Sequence, residues 1–328
     1  MKRRALLRTA VAVPVLVCGL PVARSQADTY PSRSVRIVVG FAAGGGVDLT
    51  ARPFAQRLST VLGQPVVVEN RAGVNGNIAA WHVAHQSPAD GYTLLQINNA
   101  MATNSPFLFK EGVPDYLRDL TPITGITESP QAVIVPTSLG VNTLAELVTL
   151  ARSGSMPLNF ASGGSGTLAH VAFELFRKDE GLKIEHIPYK GTGPAVQDMV
   201  AGRIHLMIDA YNQVKGFVES GTLKVLAVTG PDRLAALPKV PTTTEAGYPK
   251  FVAIGWQAVM APAKTPPAAL KRLREAGQQV MQQQEFITFL EGRGQVARWR
   301  SADELSERIR RESVLWGDVI RAANIKLD

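Results

Sequence analysis

The stretch that most constrains the fold is residues 35–52, VRIVVGFAAGGGVDLTAR. It opens with an apolar, β-branched run that is typical of a strand covered on both faces. Gly44, Gly45 and Gly46 follow, and the apolar residues after them recur at helical spacing. A glycine turn between a strand and a helix leaves amide N–H groups unpaired at the helix N-terminus, where they bind anions. The stretch therefore predicts an anion site, beside which Asp48 either caps the helix or faces the ligand.

The first 27 residues form a predicted export signal. Three basic residues open the chain, an apolar run covers residues 10–20, and residues 25–27 resemble a signal-peptidase site. The apolar run is too short to favour a membrane span. We therefore expect cleavage near Ala27 and a mature chain in the periplasm, with Sec and twin-arginine export both left open.

Removing this segment changes what the composition indicates. The segment carries five positive charges and no negative ones, so the formal net charge falls from +8 to +3, and nucleic-acid binding is not indicated. Cys18, the only cysteine of the chain, lies in the same segment. The mature chain therefore has no disulfide framework, no thiolate nucleophile and no cysteine zinc site.

The order of the predicted elements indicates two α/β lobes. Residues 35–97 and residues 158–228 each read as strands that alternate with helices, which predicts parallel sheets. Two crossings between the lobes are expected, one from two extended segments separated by Pro130 and one at residues 251–261. We assign residues 1–27 to the signal peptide, residues 28–127 and 252–328 to the first lobe, and residues 128–251 to the second lobe.

The carboxyl ends of the predicted strands are the places where such sheets bind ligands. In the first lobe these ends carry the glycine turn and the pair Asn98 and Asn99. In the second lobe a glycine-rich loop begins at Ser162, and His170 follows it in the first turns of a helix, where it could donate to a ligand. The sequence therefore predicts a polar, glycine-lined site between the lobes.

Patterns that would indicate an enzyme or a metal site are weak. Residues 164–169 loosely match a dinucleotide-binding fingerprint, but any glycine-rich turn from a strand to a helix scores similarly. His82 with His85, and His170 with Glu174, share helix faces and could each contribute to a metal site. Two-ligand pairs arise often by chance, so structural or solvated roles are favoured, and no complete catalytic set is found.

Four stretches are specific in combination: FAAGGGVDLTAR (41–52), VVVENRAGVNGNIAA (66–80) with SPADGYTLL (87–95), NFASGGSGTLAHVAFELF (159–176), and IPYKGTGPAVQDMVAGRIHLMID (187–209). Together they resemble the periplasmic solute receptors of tripartite tricarboxylate transporters, the Bug family. The resemblance runs in order through the whole mature chain. It implies an α/β, two-lobed periplasmic-binding-protein fold of type II, with two crossings, that closes on a small carboxylate.

The resemblance also implies how the ligand is held. In the family, main-chain amides, hydroxyls and ordered waters bind the carboxylates, so we expect no metal ion and no cofactor. The chain departs from the family pattern at Ala43, where the family usually has a proline; its loss frees φ at this position. With the two strand-end asparagines added, the expected ligand-binding residues are Ala43, Gly44, Gly45, Gly46, Asn98, Asn99, Ser162, Gly163, Gly166, Thr167, His170, Tyr189, Gly191 and Asp209.

The first hypothesis is a non-catalytic, monomeric receptor that hands a small carboxylate to membrane permease subunits. Di- and tricarboxylates, amino acids and aromatic acids are all compatible, and an Asp209 facing the cavity would favour a ligand with an amine or a hydroxyl. A carboxylate sensor that signals to a membrane kinase needs the same closing lobes and stays open. An exported hydrolase or metal enzyme that uses His170, Glu174 or Asp209 is disfavoured, because the catalytic set is incomplete.

Overall fold

The computed structural model describes residues 30–327, so the predicted export signal lies outside the described residues. The strands are β1 (Val35–Val39), β2 (Val66–Asn70), β3 (Thr93–Asn98), β4 (Leu120–Pro136), β5 (Leu158–Ser162), β6 (Ile184–Pro188), β7 (Leu206–Ala210), β8 (Leu223–Val228), β9 (Ile254–Pro262) and β10 (Val296–Ala297). The helices are α1 (Asp48–Leu62), α2 (Asn77–Trp81), α3 (Asn99–Thr103), α4 (Ser105–Leu108), α5 (Leu144–Ser153), α6 (Leu168–Asp179), α7 (Thr192–Val200), α8 (Lys215–Glu219), α9 (Pro267–Met281), α10 (Gln284–Glu291) and α11 (Ala302–Ala322). Of the helices that the structure describes, none has the length and apolarity that a membrane crossing requires.

The first sheet combines the amino-terminal strands with strands from the far end of the chain. β2, β1 and β3 pair in parallel, as their alternation with helices predicts. β9, β4 and β10 extend the sheet through antiparallel pairs, which gives the order β2-β1-β3-β9-β4-β10. Phe54 of α1 and Phe286 of α10 are buried in one of its cores, and Met260 of β9 and Leu305 of α11 in the other. Helices therefore cover both faces, as a parallel sheet requires.

The second sheet repeats this arrangement with fewer strands. β6, β5 and β7 pair in parallel, and β4 pairs antiparallel with β7 on one edge and with β8 on the other. Phe160 of β5 stacks on Phe173 of α6, with ring centroids 3.9 Å apart, in the core beneath this sheet. The carboxyl ends of β5, β6 and β7 therefore meet at one edge.

β4 belongs to both sheets and forms the first crossing. The sequence predicts two segments separated by Pro130, but the structure has a single strand of 17 residues. The Gln131 N–H donates to the Ala253 carbonyl, so the nitrogen of Pro130 faces the opposite edge of β4. On that edge the pairing with β10 ends at Glu128, and the pairing with β7 begins at Gln131. The proline is accommodated because no neighbouring strand needs its missing N–H.

Thr229, which follows β8, joins the second crossing to the first. It is fully buried, and its Oγ1 accepts from the Gln131 N–H at 2.9 Å and donates to the Ala253 carbonyl. Its own N–H donates to the Gln131 carbonyl at 2.8 Å. Both crossings are therefore hydrogen-bonded through one residue at the boundary between the sheets.

α11 packs against both lobes. Leu305 and Ile309 in its first half join a core of the first sheet, whereas Trp316 and Ile320 in its second half join the core of the second sheet. The assignment of residues 252–328 to the first lobe stays a prediction, and the second half of α11 lies against the second lobe.

Candidate functional site

The first glycine loop, residues 40–47, joins β1 to α1 and is held by Asp48. This side chain is 1% exposed, and its carboxylate accepts hydrogen bonds from the Gly44 N–H (2.9 Å), from Arg52 (2.9 Å) and from Asn70 (2.8 Å). Burial opposes ionisation, but these bonds outweigh it and hold the pKa of Asp48 below its ordinary value. Asp48 therefore shapes the loop; its two oxygens are occupied, and it does not cap α1.

Two glutamines fix the direction of the peptide groups in this loop. Gln257 Nε2 lies 3.4 Å from the Gly46 carbonyl oxygen, and Gln96 Nε2 lies 3.4 Å from the Val47 carbonyl oxygen. In a trans peptide the N–H points away from the carbonyl, so the N–H groups of Val47 and Asp48 point out of the N-terminus of α1. Of the predicted ligand residues in this loop, Ala43, Gly44 and Gly46 are exposed and Gly45 is half-buried.

The segment after β3 connects the two lobes. Asn98 Oδ1 accepts from the Met101 N–H at 3.1 Å and caps α3. Asn99 is 4% exposed, and within residues 30–327 its Nδ2 has no hydrogen-bond partner. Further along, Asn104 Nδ2 donates to the Gly166 carbonyl at 2.9 Å. The chain that leaves β3 therefore lies directly against the glycine loop of the second lobe.

The second glycine loop, residues 162–167, is stabilised by its own hydroxyl groups. Ser162 Oγ and Thr167 Oγ1 both donate to the Gly164 carbonyl, at 3.0 and 2.9 Å. Thr167 Oγ1 also accepts from the His170 N–H and so caps α6. A hydroxyl oxygen has two acceptor positions, so Thr167 keeps one for a ligand or water. Ser162 is fully buried, and its Oγ also contacts His186 Nε2 at 2.7 Å and accepts from the Gly164 N–H at 3.3 Å.

His170 supports this loop from behind. Its Nδ1 accepts from the Gly166 N–H at 3.1 Å, and its ring stacks on His186 with centroids 3.7 Å apart. Burial, with a smaller contribution from Arg177, lowers the pKa of His170 to about 4, so the ring is neutral at pH 7. Glu174, its candidate partner on a metal, forms an ion pair with Arg177 at 2.6 Å instead. In the described part of the chain no group of three or more His, Cys, Asp or Glu side chains could hold a metal ion.

Gly191 and Asp209 lie beside the second glycine loop. The Gly191 N–H donates to the Gly163 carbonyl at 3.0 Å. Asp209 Oδ2 accepts from Thr192 Oγ1 at 2.6 Å, and burial raises the pKa of Asp209. Among residues 30–327 this carboxylate has no cationic partner within salt-bridge distance, so it is an acceptor at the edge of the loop.

Not every predicted residue presents a free side chain here. The Tyr189 hydroxyl donates to Asp198 at 2.6 Å, within the second lobe. Asn98 is engaged as a helix cap. Their place at strand ends agrees with the prediction, but the groups that they offer a ligand are main-chain atoms or unused lone pairs.

The two glycine loops contact β9 on the same face. A Cβ placed on Gly255 would lie 3.8 Å from a methyl carbon of Leu168, the first residue of α6. Gln257, two residues further along β9, contacts the carbonyl of Gly46. Residues two apart in a strand share a face and are separated by about 7 Å. One face of β9 therefore lies against both the loop before α1 and the first residue of α6.

Comparison with known proteins identifies the family. A family model described as "Tripartite tricarboxylate transporter family receptor" matches residues 50–325. BugT of Bordetella pertussis is 35% identical over 303 residues, which cover 92% of this chain and 93% of BugT. The chain belongs to the tripartite tricarboxylate transporter receptor family.

Solved structures of similar proteins agree with the fold of this receptor. Rpa4515 of R. palustris, solved with adipate, is 33% identical with a TM-score of 0.80, and the match covers 91% of this chain and 100% of that one. MatC of Rhodopseudomonas palustris, solved with bound malate, is 29% identical with a TM-score of 0.75, over 89% of this chain and 100% of MatC. The receptor therefore has the two-lobed, type II periplasmic-binding-protein fold and is a solute-binding protein, not an enzyme.

Sequence reasoning missed three polar residues that hold the two glycine loops of the candidate site. Gln96 and Gln257 hold the carbonyls of the first loop, and Asn104 holds the second loop. Gln96 and Gln257 are polar residues in otherwise apolar strands, which is the one signal that could have found them, whereas Asn104 lies in the turn between α3 and α4. Their partners are 49 to 211 residues away in the sequence, so their roles depend on tertiary structure.

Proposed function

We propose that this receptor captures a small carboxylate in the periplasm, between its two lobes, and delivers it as a monomer to a membrane permease. The observation that carries the proposal is that one face of β9 lies against both the loop before α1 and the first residue of α6. Both helices are long, with 15 and 12 residues. Their first N–H groups have no partner inside the helix, and their dipoles favour an anion at this end.

The chemistry of the two glycine loops fits a carboxylate held without a cation. Main-chain N–H groups form charge-assisted hydrogen bonds to carboxylate oxygens. The Thr167 hydroxyl and the nearby Asp209 add acceptors that can bind donor groups elsewhere on the ligand. The relatives solved with adipate and with malate carry dicarboxylates, which agrees with such a site.

The first test is thermal unfolding of the mature chain, residues 28–328, against a panel of mono-, di- and tricarboxylates, amino acids and aromatic acids. The carboxamide of each acid serves as the uncharged control. A ligand at one hundred times its Kd adds about 2.7 kcal/mol, which is an upward shift of about 4 °C for a protein of this size. A shift with an acid and none with its amide supports the proposal; no shift with any acid overturns it.

A single variant tests whether the first glycine loop supplies N–H donors. Val47 has φ −74° and ψ −42°, which proline adopts, and the residue before it is a glycine. Val47→Pro therefore removes one N–H at little backbone cost. We expect a loss of about tenfold or more in affinity, because a hydrogen bond to a charged group contributes about 1.5–3 kcal/mol. Gln284→Pro, at the first position of α10, is the matched control; equal affinities for the two variants would remove the loop from the site.

Uptake of the identified acid by cells that lack the gene separates delivery from sensing. A transport receptor leaves such cells unable to take up the acid at low concentration. If such cells take up the acid normally but lose their transcriptional response to it, the partner is a membrane kinase and the proposed delivery to a permease is wrong.

A further inference from the structure

Gly166 of the second glycine loop is held at three points, and two of them come from the chain that leaves β3. Asn104 Nδ2 donates to the Gly166 carbonyl at 2.9 Å, and His170 Nδ1 accepts from the Gly166 N–H at 3.1 Å. On the third side Leu108 of α4 leaves no room for a side chain, since a Cβ on Gly166 would lie 2.2 Å from a Leu108 methyl carbon. The orientation of this peptide group therefore depends on residues 104–108.

Asn104 is fully buried, and hydrogen bonding fixes the orientation of its amide. The Gly166 carbonyl is an acceptor, so the amide nitrogen faces it. Asn104 Oδ1 then faces Thr103, whose Oγ1 lies 2.9 Å from this oxygen and 2.9 Å from the Asn99 carbonyl. Thr103 is fully buried as well. A row of hydrogen-bonded groups shielded from water therefore runs from the end of β3 to the second glycine loop.

The segment that carries this row is attached to both lobes. Phe107 and Leu108 of α4 pack against the core of the second sheet. Met101 before α4 and Tyr116 after it are buried in a core of the first sheet. Residues 99–108, which we call the strap, therefore connect the two lobes in addition to the two crossings.

We propose that Asn104 is a positioning residue through which the strap holds the second glycine loop in the shape that binds the ligand. The inference rests on the proposed function, because that function assigns the loop to the ligand. The N–H groups of Leu168 and Ala169 follow Gly166 directly and have no acceptor within α6. Their direction is set by the Gly166 peptide group, so the strap makes the geometry of the second loop depend on the position of the first lobe.

Isothermal titration and stopped-flow binding of the mature chain, with the acid identified by thermal unfolding, test this role. Asn104→Leu removes the donor and nearly keeps the volume of the side chain. We expect the Kd to rise about tenfold, through faster dissociation with little change in the association rate. An unchanged Kd overturns this inference and leaves carboxylate capture standing. Failure of every acid to bind the wild type overturns the proposed function.

Hydrogen exchange of the ligand-free chain decides the role of Asn104 without any ligand. In Asn104→Leu a peptide that covers residues 162–170 should exchange faster than in the wild type, because the Gly166 peptide group is no longer held. A peptide that covers residues 267–281 of α9 should not change. Equal exchange of residues 162–170 in the two proteins would mean that the loop keeps its shape without the strap.

A matched pair of milder variants separates positioning from a general loss of stability. Thr103→Val keeps the shape of the side chain and removes the hydroxyl that contacts Asn104 Oδ1. Thr243→Val is the control, because Thr243 is also fully buried but its hydroxyl donates to the Phe251 carbonyl at 2.6 Å. We expect Thr103→Val to raise the Kd about fivefold and Thr243→Val to keep the wild-type value. Equal Kd values for these two variants would contradict the inference even if Asn104→Leu failed to fold.

Discussion

Asp48 is a buried charge that holds the shape of the first glycine loop. Asp48→Asn should lower the free energy of unfolding by about 2 kcal/mol at pH 7, because it weakens charge-assisted bonds to Gly44, Arg52 and Asn70. Since the native pKa of Asp48 is depressed, this stability is present above the unfolded pKa, about 3.9, and is lost as pH falls through the lower native pKa.

Urea unfolding at several pH values measures the effect. The gap between wild type and Asp48→Asn should be constant above about pH 5 and should close in acid. Asp90→Asn, which breaks an exposed ion pair with Arg33, is the control and should change stability by less than about 1 kcal/mol. A gap for Asp48→Asn that does not depend on pH would mean that its charge is not the stabilising feature.

Alanine variants of Gly166 and Gly112 distinguish the cost of backbone strain from the cost of close packing. Both have φ near 76°, so alanine costs each of them about 1–2 kcal/mol. At Gly166 a Cβ would also lie 2.2 Å from Leu108 of α4, whereas at Gly112 it meets open space. Gly166→Ala should therefore be the more destabilising by about 1–2 kcal/mol, and adding Leu108→Ala should recover the difference. Equal effects at the two sites would remove the contact between α4 and the second glycine loop.

At this scale the sequence predicts backbone geometry better than side-chain roles. The glycine loops could be predicted, because a run of glycine between a strand and a helix favours a tight turn whose backbone angles other residues adopt only at a cost. The contacts of His170 within the protein could not be predicted: its Nδ1 accepts from the Gly166 N–H and its ring stacks on His186. Its contact with a ligand stays a prediction. The role of Gln96 depends on its hydrogen bond to Gln257, which is 161 residues away in the sequence.

At the scale of elements, α11 is a single helix that packs against both lobes. Gly317 lies in its second half, where a Cβ would come within 2.5 Å of the ring of Phe107 from α4. Gly317→Ala should therefore destabilise the receptor by about 1–2 kcal/mol, although alanine favours a helix. Gly216→Ala in α8, where a Cβ meets open space, should stabilise by about 0.5–1 kcal/mol. Thermal unfolding that gives both variants the same sign would contradict the packing of α4 on α11.

Pro130 marks the limit of reading elements from local signals. A proline between apolar segments predicts a break, because it removes a ladder hydrogen bond. Here the strand continues, since β4 changes partners at this residue and has no neighbour on the proline's side. The change of partner is visible only in the order of strands across both sheets. The local sequence around Pro130 does not indicate which distant strands pair with β4.

For the whole molecule, the sequence predicts two lobes and two crossings because each lobe repeats the same strand, glycine loop and helix. It does not predict that the second half of α11 lies on the second lobe. The apolar stripe of α11 predicts that one face of the helix is buried, but it does not indicate which lobe covers that face. Trp316 and Ile320 lie in the second core, whereas Leu305 and Ile309 of the same helix lie in a core of the first sheet.

The central claim is that both glycine loops hold one ligand, and hydrogen exchange tests it most directly. Mass spectrometry of the mature chain, with and without the acid identified by thermal unfolding, would follow peptides that cover residues 41–52 and 162–170. Unpaired N–H groups at helix N-termini exchange rapidly and are protected when a carboxylate binds them. We predict that both peptides gain protection at the same acid concentration, while residues 267–281 of α9 do not change. Protection of one loop alone, or of neither, would contradict capture between the lobes.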